Sequence, residues 1–269
     1  MTDAFSHSRL DGKVALITGA AQGMGEAVAR LFAERGIKGM LLTDRNAEKG
    51  HAVANSLGQL AKCVAADLQD PAAVSQLVPA AMAAFGRVDI LCNVAALTDR
   101  GTIIDTDLEL FDRMIAVNLR APFFLMQDAA KAMRQLKIPG SIVNISSVNA
   151  HGGANYLAPY SASKAGLVNL TKNAATSLNW DRIRVNAILP GWVDTPGEHA
   201  TLKRFNNAAD NWLEEAEKKR PFKRLVKVDE LARAVAYLAS DESGLMTGAT
   251  LDFEQFAPGT FLSTGALPG

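Results

Sequence analysis

The chain has 269 residues, 48% hydrophobic and 21% charged, enough for one large core without a forced split into two domains. Lysine plus arginine balances aspartate plus glutamate at 28 each, so no net positive field exists to gather nucleic acid or an anionic membrane, and neither is an expected partner. The opening MTDAFSHSRLDGK has no apolar signal core and no run of about 18 uninterrupted apolar residues occurs, so a cytoplasmic protein without a membrane span is expected.

The elements alternate. KVALIT (13–18) is a short apolar, β-branched run; a glycine-rich turn follows, then EAVARLFAERG with helical spacing and a closing glycine. MLLTD (40–44) is a second strand, followed by a helix near 46–57, and KCVAAD (62–67) is a third. Asp70 and Pro71 then open a helix running to about Phe85, and VDILCN (88–93) is the fourth strand. One long helix is expected over about 107–135, SIVNIS (141–146) as a fifth strand, a helix over about 158–180, and IRVNAIL (183–189) as a sixth strand. A loop-rich stretch over 191–220 interrupts the rhythm. VDELARAVAYLAS (228–240) reads as a helix and ATLDF (249–253) as the last strand.

Short strands that are apolar throughout, each alternating with a helix, indicate a mostly parallel sheet of seven strands covered on both faces. The expectation is a single doubly wound, Rossmann-type α/β domain over 1–269, with 191–220 as a substrate lid inside it. Cys63 and Cys92 sit in apolar runs and read as small buried hydrophobes; no Cys/His spacing points to a metal.

TGAAQGMG (18–25) lies between the first strand and the first helix. Glycines 19, 23 and 25 let the backbone turn sharply and approach a pyrophosphate at the helix N-terminus, with Gln22 and Met24 as further contacts. The spacing is Gly-x-x-x-Gly-x-Gly, not the commoner Gly-x-Gly-x-x-Gly. Asp44 closes the second strand, where a carboxylate accepts from ribose hydroxyls and repels a 2′-phosphate; NAD is the expected cofactor. Arg45 reads as a solvated neighbour. Further along, Tyr160 and Lys164 are four apart at the start of a helix, which stacks them on one face.

TGAAQGMG, then Asn118 in VNL, Ser147 in ISS, and YSASK resembles the short-chain dehydrogenase/reductase family, over residues 11–252. The resemblance implies a proton relay. Tyr160 is its general base or acid, Lys164 lowers the phenol's pKa and bonds the nicotinamide ribose, Ser147 holds the substrate oxygen, and Asn118 holds a relay water. It also implies cofactor contacts from Asp67, Leu68, Asn93, Val193 and Thr195, and pairing of subunits through the two long helices into a homotetramer. Two departures stand out: Asn93-Val94-Ala95-Ala96 replaces Asn-Asn-Ala-Gly, and the tail LDFEQFAPGTF replaces Asp-Gly-Gly.

For the substrate, Ser147, Asn149, His151 and Tyr160, with Glu198 and His199 of the lid, form a polar set that suits a small polyhydroxylated molecule. The expected reaction is hydride transfer between a sugar or polyol hydroxyl and NAD, extending to aldose oxidation to a lactone. His199, Lys203 and Arg204 raise an acidic sugar as a further extension. A 3-oxoacyl thioester reductase and a non-catalytic dinucleotide sensor are the alternatives.

Overall fold

The computed structural model describes residues 8–258. In chain order these form β1 (Val14–Thr18), α1 (Gly23–Glu34), β2 (Gly39–Asp44), α2 (Ala47–Ser56), β3 (Ala61–Ala65), α3 (Pro71–Phe85) and β4 (Ile90–Asn93). Next come α4 (Leu108–Ile115), α5 (Ala121–Leu136), β5 (Gly140–Ile145), α6 (Ala158–Leu178) and β6 (Ile183–Pro190). Then follow β7 (Val193–Asp194), α7 (Pro196–Asn206), α8 (Trp212–Lys218), β8 (Val226–Lys227), α9 (Val228–Ala239) and β9 (Thr250–Phe253).

Seven strands make one sheet in the order β3-β2-β1-β4-β5-β6-β9, every neighbouring pair parallel. Successive strand residues point to opposite faces, and both faces are apolar. Ala15, Ile17, Met40, Leu42, Ile90 and Cys92 join the core under α1 and α9. Leu16, Leu41 and Leu91 join the one under α3 and α5. From β1 the chain first builds outward through β2 and β3, then returns to β4 on the other side. At that reversal the loops diverge beyond the carboxyl ends of the strands and leave a crevice.

Local signals set the helix ends where expected. Asp70 accepts from the Ala72 N–H at 2.8 Å, Pro71 begins α3, and Gly86 ends it at φ 79°. Two expectations need correction. The helix predicted over 107–135 is divided: α4 and α5 are joined by a π-helical turn, Ala116–Arg120, ahead of Pro122. The stretch 191–220 is largely ordered, holding β7, α7 and α8. Its apolar residues bury against one another, in a small core of Leu202, Trp212, Ala216 and Leu225, so they show no stripe of sheet-covering periodicity. Both cysteines are free.

At the amino end of the sheet, Asp89 is buried and accepts from the Val14 N–H at 2.9 Å and from Arg87 Nε at 2.8 Å. Asp89→Ala should lower unfolding free energy by about 1–3 kcal/mol in urea titrations, since a buried N–H loses its acceptor. Because the crevice is at the opposite end, ligand affinity should be unchanged.

Candidate active site

The glycine turn is shaped by contacts that exclude any side chain. A Cβ on Gly19, which has φ 68°, would lie 2.8 Å from Ala95 Cα, and one on Gly25 would lie 2.2 Å from the Gly19 carbonyl oxygen. The main chain therefore reaches the N-terminus of α1 bare, facing a cleft of about 400 Å³. Asp44 closes β2 and clasps this turn, accepting from Ala21 N at 3.2 Å and Asn46 N at 2.9 Å. Gly23, Gln22, Met24, Asp67, Leu68 and Thr195 also border the cleft. Exposed helix N–H donors, an acid at the end of β2 and an apolar floor at Leu68 and Val94 fit a nicotinamide dinucleotide.

Two expected contacts stand elsewhere. Val193 is buried in the core with Ile188 and Val226, so it offers at most its main chain. Asn93 is buried in β4, where its Nδ2 donates to Asn144 Oδ1 at 2.8 Å, and Asn144 Nδ2 donates to Thr171 Oγ1 at 2.9 Å. The altered Val94-Ala95-Ala96 run keeps its main-chain order through Thr18, whose hydroxyl accepts from Val94 N and Ala95 N, each at 3.0 Å. Ala96 has no positive φ, so losing the family's glycine there costs no strain.

At the carboxyl end of β5 the chain enters a short 3₁₀ turn capped by Ser147. The Ser147 oxygen accepts from the main-chain N–H and the side-chain Nδ2 of Asn149, both at 3.2 Å. The Ala154 N–H, donating to Asn149 Oδ1 at 3.3 Å, sets which way that amide points. With its lone pairs engaged, the Ser147 hydroxyl has its own proton left to give. Its hydrogen bond to Tyr160 opposes the effect of burial, which pushes the phenol up to about 12. Lys164 lies one turn along α6, 1% exposed, with Nζ donating to the Ile145 carbonyl at 2.7 Å and 5.8 Å from the centre of the Tyr160 ring. Burial pulls its ammonium down to about 7. Glu198 raises the phenol further, and Arg100, like Ser147, lowers it.

Asn118 stands in the π-helical turn with its side chain fully committed. Oδ1 accepts from Leu97 N at 2.8 Å, and Nδ2 donates to the Leu97 carbonyl at 3.0 Å and to Ser163 Oγ at 3.1 Å. A relay water would therefore have to meet its main-chain carbonyl, and Pro122 has no N–H to give that oxygen.

The expected substrate residues divide. Glu198 reaches the site from the first turn of α7, accepting from Trp192 Nε1 at 2.9 Å and from Arg100 at 3.5 Å. His199 does not. It is a lid clamp, with Nε2 facing Asp194 at 2.8 Å and Nδ1 accepting from Trp212 at 3.2 Å, which fixes the neutral tautomer with its proton on Nε2. His151 is exposed and engages Asp252 of β9 at 2.7 Å. Lys203 pairs with Asp210, whereas Arg204 borders the cleft, lying over the Phe205 ring at 4.7 Å. Arg100 and Trp192 escaped the sequence reading. Both sit in loops whose path, not periodicity, brings them to Glu198. Gln255 of the altered tail pins the segment after α8, meeting Phe222 N at 3.0 Å and the Arg224 carbonyl at 2.8 Å.

A family model described as "Enoyl-(Acyl carrier protein) reductase" matches residues 19–254. The chain is 35% identical to "Sorbitol dehydrogenase" of Cereibacter sphaeroides, over 91% of this chain and 97% of that one. Among solved structures it is similar to a "short-chain type dehydrogenase/reductase from Mycobacterium marinum" (29% identity, TM-score 0.85, covering 94% and 98% of the two chains). It is also similar to a "3-ketoacyl-(acyl-carrier-protein) reductase from Brucella melitensis complexed with NADH" (35%, TM-score 0.82, 90% and 97%). The chain belongs to the short-chain dehydrogenase/reductase family. It is an oxidoreductase acting on alcohol groups, and members of the family use NAD or NADP.

The buried lysine makes a stability prediction. Its ammonium titrates near 7 in the native protein and near 10.5 when unfolded, so between those values the unfolded chain holds more protons and stability rises with pH. Lys164→Met should therefore melt higher than the wild type at pH 7, and the gap should narrow steadily towards pH 10 in thermal scans.

Proposed function

We propose that the protein oxidises neutral polyols or sugars with NAD as hydride acceptor. The observation that carries this reading is the wall beside Tyr160. Where a pocket for an acyl chain would be aliphatic, it presents Glu198 and Arg100, with the indole N–H of Trp192 bonded to Glu198. Buried polar groups of this kind favour a substrate whose hydroxyls can pair with them. The similarity to a sorbitol dehydrogenase supports the same reading.

A bound dinucleotide supplies the hydride acceptor; the chain's part is to hold and move a proton. The Ser147 hydroxyl donates to the substrate oxygen, and Tyr160 Oη takes the hydroxyl proton as the carbonyl forms. Lys164, within reach of the phenol's ring, favours the phenolate whenever it carries its proton. Asn149 keeps Ser147 in the donating role.

Asp44 supports NAD over NADP. Two main-chain donors hold its carboxylate at the cleft, where ribose hydroxyls would be accepted and a 2′-phosphate repelled. Arg45, exposed at the same cleft, would favour a phosphate instead.

We further propose a homotetramer. Ile115, Leu119, Phe123, Phe124, Gly166 and Leu170 line an open apolar groove between α5 and α6, with both phenylalanines 44% exposed. Sedimentation should show an assembly larger than a dimer, and Phe123→Asp with Phe124→Asp should reduce it.

A panel of polyols, aldoses and 3-oxoacyl thioesters, followed by nicotinamide absorbance, tests the function. Polyol oxidation should be faster with NAD than with NADP, and Asp44→Ala should narrow that preference. Tyr160→Phe should lower kcat on the order of 10²–10⁴-fold with dinucleotide affinity retained. Efficient thioester reduction with no turnover of any polyol or sugar would overturn the reading.

A further inference from the structure

Arg100 belongs to the loop after β4, which the fold carries back over the start of α6. Gly101 N donates to the Tyr156 carbonyl at 3.0 Å, and Ala158 N to the Gly101 carbonyl at 3.0 Å. This docking lays the guanidinium over the Tyr156 ring, 5.4 Å from its centre, while Nη1 donates to the Thr98 carbonyl at 3.2 Å. Nη2 then points at Glu198 of the lid. The two side chains are 14% and 16% exposed, and both act on the Tyr160 phenol, with opposite signs. Two elements far apart in the chain thus meet beside the reacting group.

The pair is incomplete as it stands. Its 3.5 Å separation is longer than the roughly 2.7–2.9 Å of a charge-assisted hydrogen bond. Arg100 Nε is buried with no partner. Glu198 Oε1 takes both Trp192 and Arg100, which leaves Oε2 free to accept from elsewhere. The guanidinium spends one Nη1 N–H on Thr98 and one Nη2 N–H on Glu198, which leaves further Nη donors beside Glu198, and a donor next to an acceptor matches a hydroxyl, which both gives and takes a hydrogen bond. The two charges cancel, so the pair has no net attraction for a carboxylate or phosphate. An alkyl or acyl group in the same place would leave both desolvated and unpaired.

We propose that Arg100 and Glu198 form a subsite that reads a second hydroxyl on the substrate, beyond the one facing Tyr160, and so confine the enzyme to neutral diols and polyols. This rests on the reading of the protein as an alcohol-oxidising enzyme. The N–H edge of Trp192, bonded to Glu198 while the ring stacks 5.7 Å from Trp212, adjoins the same subsite. Arg220 also lies over the indole at 5.0 Å, which holds its position.

Butane-2,3-diol and butan-2-ol share a skeleton and differ by one hydroxyl, so their ratio of kcat/KM isolates the subsite. D-Sorbitol serves as a longer polyol. The wild type should favour the diol over the monoalcohol on the order of 10- to 100-fold. Arg100→Met and Glu198→Gln should each bring the ratio towards one, through KM for the diol, with KM for NAD within about twofold. Arg100→Lys and Glu198→Asp should restore part of it. The acid limb of the pH profile should move up in Arg100→Met and down in Glu198→Gln, shifts that loss of packing alone would not give in opposite directions. Thermal shift with NAD monitors folding and cofactor binding separately from turnover. A diol preference that survives both substitutions overturns the subsite, as does an equal loss for both alcohols, while the alcohol-oxidising reading stands. Failure of the wild type to oxidise any of the three alcohols, with a 3-oxoacyl thioester reduced, removes that reading and the subsite with it.

Discussion

The active site is organised around an ammonium buried in the protein. Lys164 is 1% exposed, and the carbonyl that ends β5 is its one hydrogen-bond acceptor among the described residues. Holding that group costs solvation energy, which is why its pKa is driven down. The cost is tolerable only on a rigid frame, and the frame is visible. Ser146 Oγ, at the end of the sheet, donates to the Lys164 carbonyl at 2.9 Å, tying α6 to β5. On its other side, Ser163 accepts from Asn118, which also clasps Leu97 in the loop after β4. Tyr160 inherits its position from the same turn of α6, and Ser147 from the same strand end. The sheet's apolar faces supply the stability that lets a charge remain where water cannot reach it.

How much of this was legible depends on how local the signal is. β1, β2 and β4 are short apolar runs because both sheet faces are covered, and α1 and α9 carry a buried stripe against them; such patterns are written in adjacent residues. The glycine turn and the Tyr160–Lys164 spacing are equally local. The π-helical turn was not legible. Leu108 to Leu136 keeps helical character throughout, and only Pro122, which removes one donor, hints at a break. α7 and α8 were missed because they cover no sheet. His199 was read as a substrate contact since a polar residue in a lid is ambiguous until its partners, Asp194 and Trp212, are known.

The lid is held by polar contacts as much as by its small core. Lys227, in the edge strand β8, bridges Asp194 and Glu217 at 2.9 Å each, and Glu217 also accepts from Leu225 N at 3.1 Å. His199 and Trp212 extend that network from the ends of β7 to α8. These pairs tie α7 to β7, β8 and α8, and Glu198 in its first turn borders the cleft. Exposed pairs contribute little stability one by one, but linked through shared carboxylates they fix direction. The altered tail adds to this: Gln255 fastens the chain after α8, and Phe256 packs on Arg220, which packs on Trp192.

Chemistry and substrate choice are therefore encoded in different ways. The proton-handling groups sit on β5 and α6, regular elements whose register a motif can report, and the resemblance to a family transfers there residue by residue. The wall proposed to face the substrate is built where the loop after β4 meets α7, and neither segment makes sense without the other. Arg100 alone would be a buried cation and Glu198 alone a desolvated anion, each costly; together they are neutral and still short of partners. On the reading proposed above, a hydroxyl-bearing ligand would satisfy both at once, so the two segments and the ligand would complete one another's hydrogen bonds.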